Sequence, residues 1–359
     1  MYGSKGIQVA CALIWISVTA RANTANPMAA GFPERVCAPY VACWTNLSVA
    51  ALAKATGNKH YTLAFVISNG SANSAPYWNG TIAMSADKYV SDIADLRALG
   101  GDVIVSFGGQ GGSELALVHK SVSTLQAAYQ QVITKYGLRW IDFDIEGAAI
   151  FDTAANTRRN QAIRNLQAVN PGLIIAYTIP STNPDSGVTQ STVKLLANAK
   201  ANGAAVGMVN IMAMNYSPEF CGDMGQAALT VAARCRSQLN ALGIPARVGI
   251  TPMLGTNDFA CEKFTVANSK TVAAYAIANA YVGLVSFWVM DADPGYANLD
   301  IFKAFTGSSP TGLGPAPGPA GMRAGSKRYD PIGRALNQDH PIARQRAIRS
   351  SVLRPGPLP

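Results

Sequence analysis

Several kinds of chemistry depend on groups that this chain of 359 residues scarcely has. There are three histidines, His60, His119 and His340, far apart in sequence, and no Cys-x-x-Cys. Zinc sites and His-dependent nucleophile triads need such groups at defined spacings, so both are poorly supplied. No metal and no cofactor is expected. The Gly-rich run Gly108-Gly109-Gln110-Gly111-Gly112 lacks the Lys-Ser/Thr that completes a phosphate loop. No Gly-rich turn follows the first strand candidate, where a dinucleotide fold would carry one. The run therefore reads as a tight strand-to-loop turn. Charged residues are only 14% of the chain, and its +9 net charge is unevenly placed. Arg323, Lys327, Arg328, Arg334, Arg344, Arg346, Arg349 and Arg354 face only Asp330 and Asp339 in the C-terminal segment. Without that segment, Lys5 and Arg21, the body is close to neutral, which argues against nucleic acid as its partner.

Long apolar runs are scarce too. Ile7 to Val18 is too short to cross a bilayer. With Lys5 before it and Ala20-Arg21-Ala22 after it, it has the layout of a secretion signal, assigned to residues 1–22. The mature protein is expected to be extracellular, a monomer and without a membrane segment. Export permits disulfides. Cys11 falls in the signal, leaving Cys37, Cys43, Cys221, Cys235 and Cys261, an odd number, so at least one thiol is free or paired between chains. Cys37/Cys43 and Cys221/Cys235 are the sequence-local pairs, and spacing does not decide between pairings. Beyond about Thr306 the chain turns Pro/Gly-rich and then Arg-rich, so residues 307–359 read as linker and tail.

What remains is apolar enough to bury a large core, at 49% hydrophobic residues overall. Short β-rich runs alternate with longer stretches of helical period, the pattern of a parallel α/β fold. Eight strands are predicted: Tyr40–Trp44, Tyr61–Val66, Val103–Phe107, Trp140–Ile145, Ile174–Thr178, Met208–Met212, Arg247–Thr251 and Gly283–Phe287. Helices are predicted between them, among them 86–99, 122–136, 157–169, 188–201, 226–242 and 270–281. Gly100, Gly137, Asn170 and Gly243 stand where a left-handed C-cap is wanted. Eight βα units fit a single (β/α)8 TIM barrel over residues 36–306 better than a doubly wound sheet.

In a strand, alternate side chains share a face. Asp142, Asp144 and Glu146 therefore point one way, and Ile141, Phe143 and Ile145 the other. Three neighbouring carboxylates on the inner face of a barrel strand repel one another, so at least one should stay protonated at neutral pH. A general acid needs that state.

The run Arg139-Trp140-Ile141-Asp142-Phe143-Asp144-Ile145-Glu146 resembles the DGxDxDxE signature of family-18 glycoside hydrolases, the chitinase family. Ser106-Phe107-Gly108-Gly109 is similar to that family's SxGG, and Trp288 sits where the family places a tryptophan beneath the cleaved sugar. Tyr177-Thr178-Ile179-Pro180 and Gly249-Ile250-Thr251-Pro252-Met253 resemble strand ends of bacterial members. The resemblance implies a retaining, substrate-assisted glycosidase. Glu146 would protonate the glycosidic oxygen, the substrate's own N-acetyl carbonyl would attack the anomeric carbon, Asp144 would hold the acetamido group, and Asp142 would share a proton with Asp144. It implies chitin or chito-oligosaccharides as partners, with Gly109, Met214, Asn215, Tyr216 and Trp288 in the binding site. Trp44 is a candidate stacking surface, and so are Tyr77 and Trp78 in the loop after the second strand. His119 reads as structural.

Two departures from the pattern stand out. Arg139 and Trp140 replace the signature's first Asp and Gly. In Met212-Ala213-Met214-Asn215-Tyr216, Asn215 stands where the family shows Asp, which removes a charge and is expected to shift the pH optimum. The rival functions are an endo-β-N-acetylglucosaminidase acting on N-glycans and a chitin-binding lectin on the same barrel. The intact acidic row favours an enzyme.

Overall fold

The computed structural model describes residues 32–307. The secretion signal assigned to residues 1–22 lies outside the described residues, as do Cys11 and the tail after Gly307. Eight parallel strands carry the fold. They are β1 (Val36–Cys37, resumed as Tyr40–Ala42), β2 (His60–Ile67), β3 (Asp102–Gly108), β4 (Trp140–Asp144), β5 (Ile174–Pro180), β6 (Met208–Ala213), β7 (Arg247–Pro252) and β8 (Val282–Val285). Each of β2 to β8 pairs with its neighbours in sequence order. The two halves of β1 pair differently: Val36–Cys37 joins β8, and Tyr40–Ala42 joins β2. Backbone bonds from Ala38 N to Val285 O (3.1 Å), Tyr40 N to Phe287 O (3.1 Å) and Thr62 N to Pro39 O (3.0 Å) continue both seams. The row of eight thus begins and ends on one segment, in the (β/α)8 order expected. Pro39 breaks β1 because it has no N–H to give the ladder.

Helices follow the strands and cover their outer faces. Thr153–Val169, Gln190–Ala201 and Met224–Leu242 come after β4, β5 and β6. Their N-caps Asp152, Thr189 and Asp223 each accept from a first-turn amide, which explains why these helices start where they do. Gly137 and Gly243 end their helices in the left-handed conformation, as expected, whereas Asn170 ends its helix at φ −125°. Two hairpins are additions that strand periodicity did not announce. Tyr77–Trp78 with Ile82–Ala83 extends β2 antiparallel, and Gly255–Thr256 pairs with Lys263–Phe264 above β7.

The barrel interior is layered. At its base Phe32, Val36, Ile104, Trp140, Ile174, Met208 and Leu284 form an apolar plug. Above it lies a buried polar layer that includes Tyr40, Thr62, Ser106, Asp142, Thr178, Asn210 and Ser286. Trp140 occupies the signature's Gly position, and its indole fills the plug edge-on to Phe32 (centroids 5.0 Å apart). Arg139 stays outside and bonds Asp102 (2.9 Å). Ile141, Phe143 and Ile145 face the helices, in the main core.

The cysteines correct the sequence-local pairing. Cys221 pairs with Cys261, with Cα atoms 4.9 Å apart, while Cys37, Cys43 and Cys235 are buried free thiols. Cys37 and Cys43 lie along one extended segment that rises roughly 3.3 Å per residue, far beyond disulfide reach. Cys235 is buried in the helix Met224–Leu242.

Candidate active site

The acidic row rises through the barrel along β4. Asp142 is in the polar layer and fully enclosed. Ser106 Oγ donates to its Oδ2 (2.6 Å), Thr178 Oγ1 donates to its Oδ1 (2.8 Å), and Tyr40 Oη approaches Oδ2 at 3.2 Å. Asn210 and Thr251 extend the chain of bonds behind Thr178 (3.0 and 2.8 Å). Burial raises the Asp142 carboxyl to about 6, opposed by these donors, so it is ionised at neutral pH.

Asp144 is next up and buried. Burial, then the charges of Glu146 and Asp142, push its carboxyl well above the ordinary carboxylate range. Its protonated form is thereby favoured, and it shares a hydrogen bond with Glu146, while its Oδ1 has no partner in the protein. The hydrogen bond of Asp144 thus runs to Glu146, and none joins it to Asp142. All of Asp142's side-chain partners are hydroxyls, and it acts on Asp144 through its charge. Glu146 is raised to about 7 by burial first and then by the Asp258 carboxylate, against the lowering effect of its bond with Asp144.

Close packing of β3 against β4 permits this arrangement. At Gly108 (φ +104°) a Cβ would lie 2.1 Å from Asp144 O, so only glycine fits. Gly109 donates from its amide to that same carbonyl (3.0 Å), and a Cβ there would strike the Phe65 ring at 2.7 Å. Gly109 is thus a packing turn beneath the site and does not line the cavity, contrary to its expected place in substrate binding.

Above the row opens a cavity of about 680 Å³, lined among others by Trp44, Asp144, Glu146, Met214, Asn215 and Trp288. Trp288 packs on Phe65 (5.6 Å, 15° between planes), Tyr40 (5.7 Å) and Trp44 (6.1 Å), which makes an aromatic floor. Trp44 is 54% exposed and faces the cavity, as a stacking surface would. Trp78 does not. It is fully buried and donates its indole N–H to Tyr136 Oη (2.9 Å), and Tyr77 belongs to the same hairpin. His119 bonds Ser74 O through Nε2 (2.9 Å) and is structural, as read.

Of the wall opposite β4, the sequence pointed to Asn215 and Tyr216 but not to Asp258 and Glu262, which hold them. Asn215, at φ +51°, donates from Nδ2 to Asp258 Oδ2 (2.6 Å) and accepts from Asp258 N (3.0 Å). Glu262, fully buried, accepts from the amides of Tyr216 (2.7 Å) and Ser217 (3.1 Å). The Cys221–Cys261 disulfide joins the same two loops. Tyr216 is buried edge-on to Phe220 (5.2 Å), and its Oη has no partner in the protein. The negative charge that Asn215 lacks is supplied at Asp258, on the loop it holds. Reciprocal bonding across 43 residues leaves no periodic or motif signal. No cluster of His, Cys, Asp or Glu fit to hold a metal occurs among the described residues.

No family model matches the chain. Two curated proteins do. The probable bifunctional chitinase/lysozyme of Escherichia coli K12 is 34% identical over 307 residues (79% of this chain), and Endochitinase 11 of Metarhizium anisopliae is 32% identical over 302 residues (78%). The chain spans 34% of the first relative's length and 56% of the second's. Among solved structures, the chitinase catalytic domain of Pyrococcus furiosus superposes with a TM-score of 0.68 at 27% identity, covering 76% of this chain and 95% of that one. Likeness at these levels coincides with an intact row of Asp142 and Asp144 on β4 and Glu146 two residues beyond its end. The chain belongs to family 18 of the glycoside hydrolases. Within this family-18 barrel, Arg139, Trp140 and Asn215 are the departures, and each has a structural partner or role described above.

Proposed function

We propose that this protein is a secreted chitinase that hydrolyses β-1,4 bonds between N-acetylglucosamine units with retention of configuration. The observation that carries the proposal is the hydrogen-bonded Asp144–Glu146 pair at the floor of an open cavity, with both carboxyls raised by burial, Glu146 to about 7. A glycosidase acid must be protonated near the working pH, and Glu146 meets that condition. Neither other carboxyl of the acidic row is free to act as a nucleophile: Asp142 is enclosed by three hydroxyls, and Asp144 is buried and hydrogen-bonded to Glu146. A substrate acetamido carbonyl is the nucleophile that fits, with Asp144 Oδ1, unpartnered, accepting from the acetamido N–H and its carboxylate offsetting the charge that develops there. In the reacting state the pair holds one proton, on Glu146, which delivers it to the departing oxygen while Asp144 stands ionised beside the acetamide. Tyr216, expected at the acetamido oxygen, does not line the cavity and is buried in the main core against Phe220. Trp288 supplies the apolar face beneath the sugar.

Secretion is supported by the N-terminal layout and by the Cys221–Cys261 disulfide, since such bonds persist in oxidising compartments. The test is release of reducing ends from colloidal chitin by the parent and by Glu146→Gln, with product anomers followed by NMR. Activity with initial β-anomer, lost in Glu146→Gln, is expected. Activity that survives the substitution sinks the assignment, binding without turnover by the parent favours a lectin, and turnover of a high-mannose glycoprotein in place of chitin favours an endo-β-N-acetylglucosaminidase.

A further inference from the structure

Five large hydrophobic side chains are exposed among the described residues: Trp44, Val90, Phe151, Val169 and Val266. Only two are aromatic, Trp44 at 54% and Phe151 at 45%, and both line the cavity that holds Glu146. Leaving a phenyl ring in water forgoes the burial that ordinarily stabilises it, so a ring held open in a cleft points to a partner that covers it. Trp44 leans on Trp288 and has its place in the aromatic floor. Phe151 has no ring neighbour among the described residues and is placed otherwise. It ends the short turn Gly147–Phe151 that leaves Glu146, just before the N-cap Asp152 of the helix Thr153–Val169.

A second hollow, of about 320 Å³, lies beyond that turn. It shares Ile150 and Phe151 with the main cavity, so the phenyl ring sits on the ridge between the two. The far hollow is built from the first turns of two helices, with Thr153 on one and Gln190, Ser191 and Lys194 on the other. Hydroxyl, amide and ammonium groups around one aromatic face are what a sugar ring uses: apolar C–H bonds against the ring, hydroxyls and acetamide toward the polar side chains. Asn156 and Asn198, which also line it, are already bonded to Ile150 O (3.0 Å) and Thr157 Oγ1 (2.9 Å), so the hollow's frame is fixed.

We propose that Phe151, with Gln190 and Lys194 behind it, forms an accessory subsite. It binds a 2-acetamido sugar unit remote from the cleaved bond, on the same chain that lies across Glu146. This rests on the reading of the protein as a chitinase and deepens it: the cleft has an exposed aromatic at Trp44 and another at Phe151, and longer chains engage both. The subsite makes the enzyme discriminate by chain length.

The experiment compares kcat/KM for chitohexaose with kcat/KM for a chromogenic aryl chitobioside, which is too short to span both rings. In the parent the ratio favours the hexamer. In Phe151→Ala the ratio falls about tenfold, the loss of one stacked face, and in Lys194→Ala it falls by about threefold, the loss of one exposed hydrogen bond. Binding of chitohexaose to Glu146→Gln, with and without Phe151→Ala, reads the same site without turnover, and affinity falls by the same factor. An unchanged ratio in Phe151→Ala overturns the proposal. So does an equal fall on both substrates, which would make Phe151 a packing residue of the acid's own loop. A parent inert on both substrates would instead contradict the chitinase reading itself.

Discussion

The two walls of the cleft are built on different principles. One is β4 and its extended continuation, where Asp142, Asp144 and Glu146 follow each other at a two-residue period, the first two locked between β3 and β5. The other is a pair of loops, around Asn215 and around Asp258, whose geometry comes from cross-loop bonds: the Asn215–Asp258 pair, the two amides on Glu262, and the Cys221–Cys261 disulfide. In the proposed reaction the strand wall supplies the proton, and the loop wall supplies the Asp258 charge that acts on it. A strand sets positions by its own repeat, whereas a loop needs fasteners, so this half of the site is open to loss without any change to the acids.

The largest expected effect falls on the strand wall. Glu146→Gln should lower kcat by a factor of about 10² to 10⁴, the range of a positioned general acid, in a reducing-end assay. The same variant has a stability signature. Glu146 is held at about 7 in the folded protein, above its ordinary value, so it favours folding in acid, and that contribution is lost as pH rises through 7. Glu146→Gln is therefore expected to melt higher than the parent at pH 8 and about equally at pH 4. A parent that is the more stable at pH 8 would break the account of a strained strand wall. Below the acids, Trp140→Ala should cost about 3–5 kcal/mol by denaturant titration, because it empties the barrel plug. A cost under about 1 kcal/mol would show that the plug does not support the row.

The loop wall is tested next. Cys221→Ser/Cys261→Ser should leave the barrel folded by circular dichroism, yet lower kcat/KM several-fold and raise KM as Asp258 and Tyr216 lose their fastener. An enzyme of unchanged KM and pH profile would mean that hydrogen bonds alone hold the wall. Asn215→Asp is expected to act least. It keeps the bond from Asp258 N but sets a second carboxylate against Asp258, so the negative charge facing Glu146 grows and the alkaline limb of activity moves to higher pH. A profile that superimposes on the parent's would sink that expectation.

The same contrast explains what could be read from the chain. Strand alternation placed Asp142, Asp144 and Glu146 on one face, and the eight βα units emerged from periodicity, because both are local rules. Trp44 was legible from its place at a strand end, and Trp288 from the resemblance to the family. Trp78 was not: a Trp in a polar loop looks exposed, but a hairpin folds it under Tyr136. Asp258 and Glu262 act across more than forty residues on partners that no spacing rule connects to them. The disulfide fails for the same reason, since Cys221 reaches past Cys235 to a loop 40 residues on. Even along the acidic row the finer point needed coordinates, since the hydrogen bond of Asp144 runs to Glu146 and none joins it to Asp142.

The central claim is that Glu146 is an acid set near 7 by burial and by a carboxylate on the opposite wall. The most direct measurement is the pH dependence of kcat/KM for the parent beside Asp258→Asn, a substitution that can keep the bond to Asn215 while removing the charge. The parent should lose activity as pH rises through about 7, and Asp258→Asn should lose it at lower pH, because the ionised form of Glu146 is then disfavoured by burial without the added charge of Asp258. An alkaline limb that stays in place, or moves upward, contradicts the account.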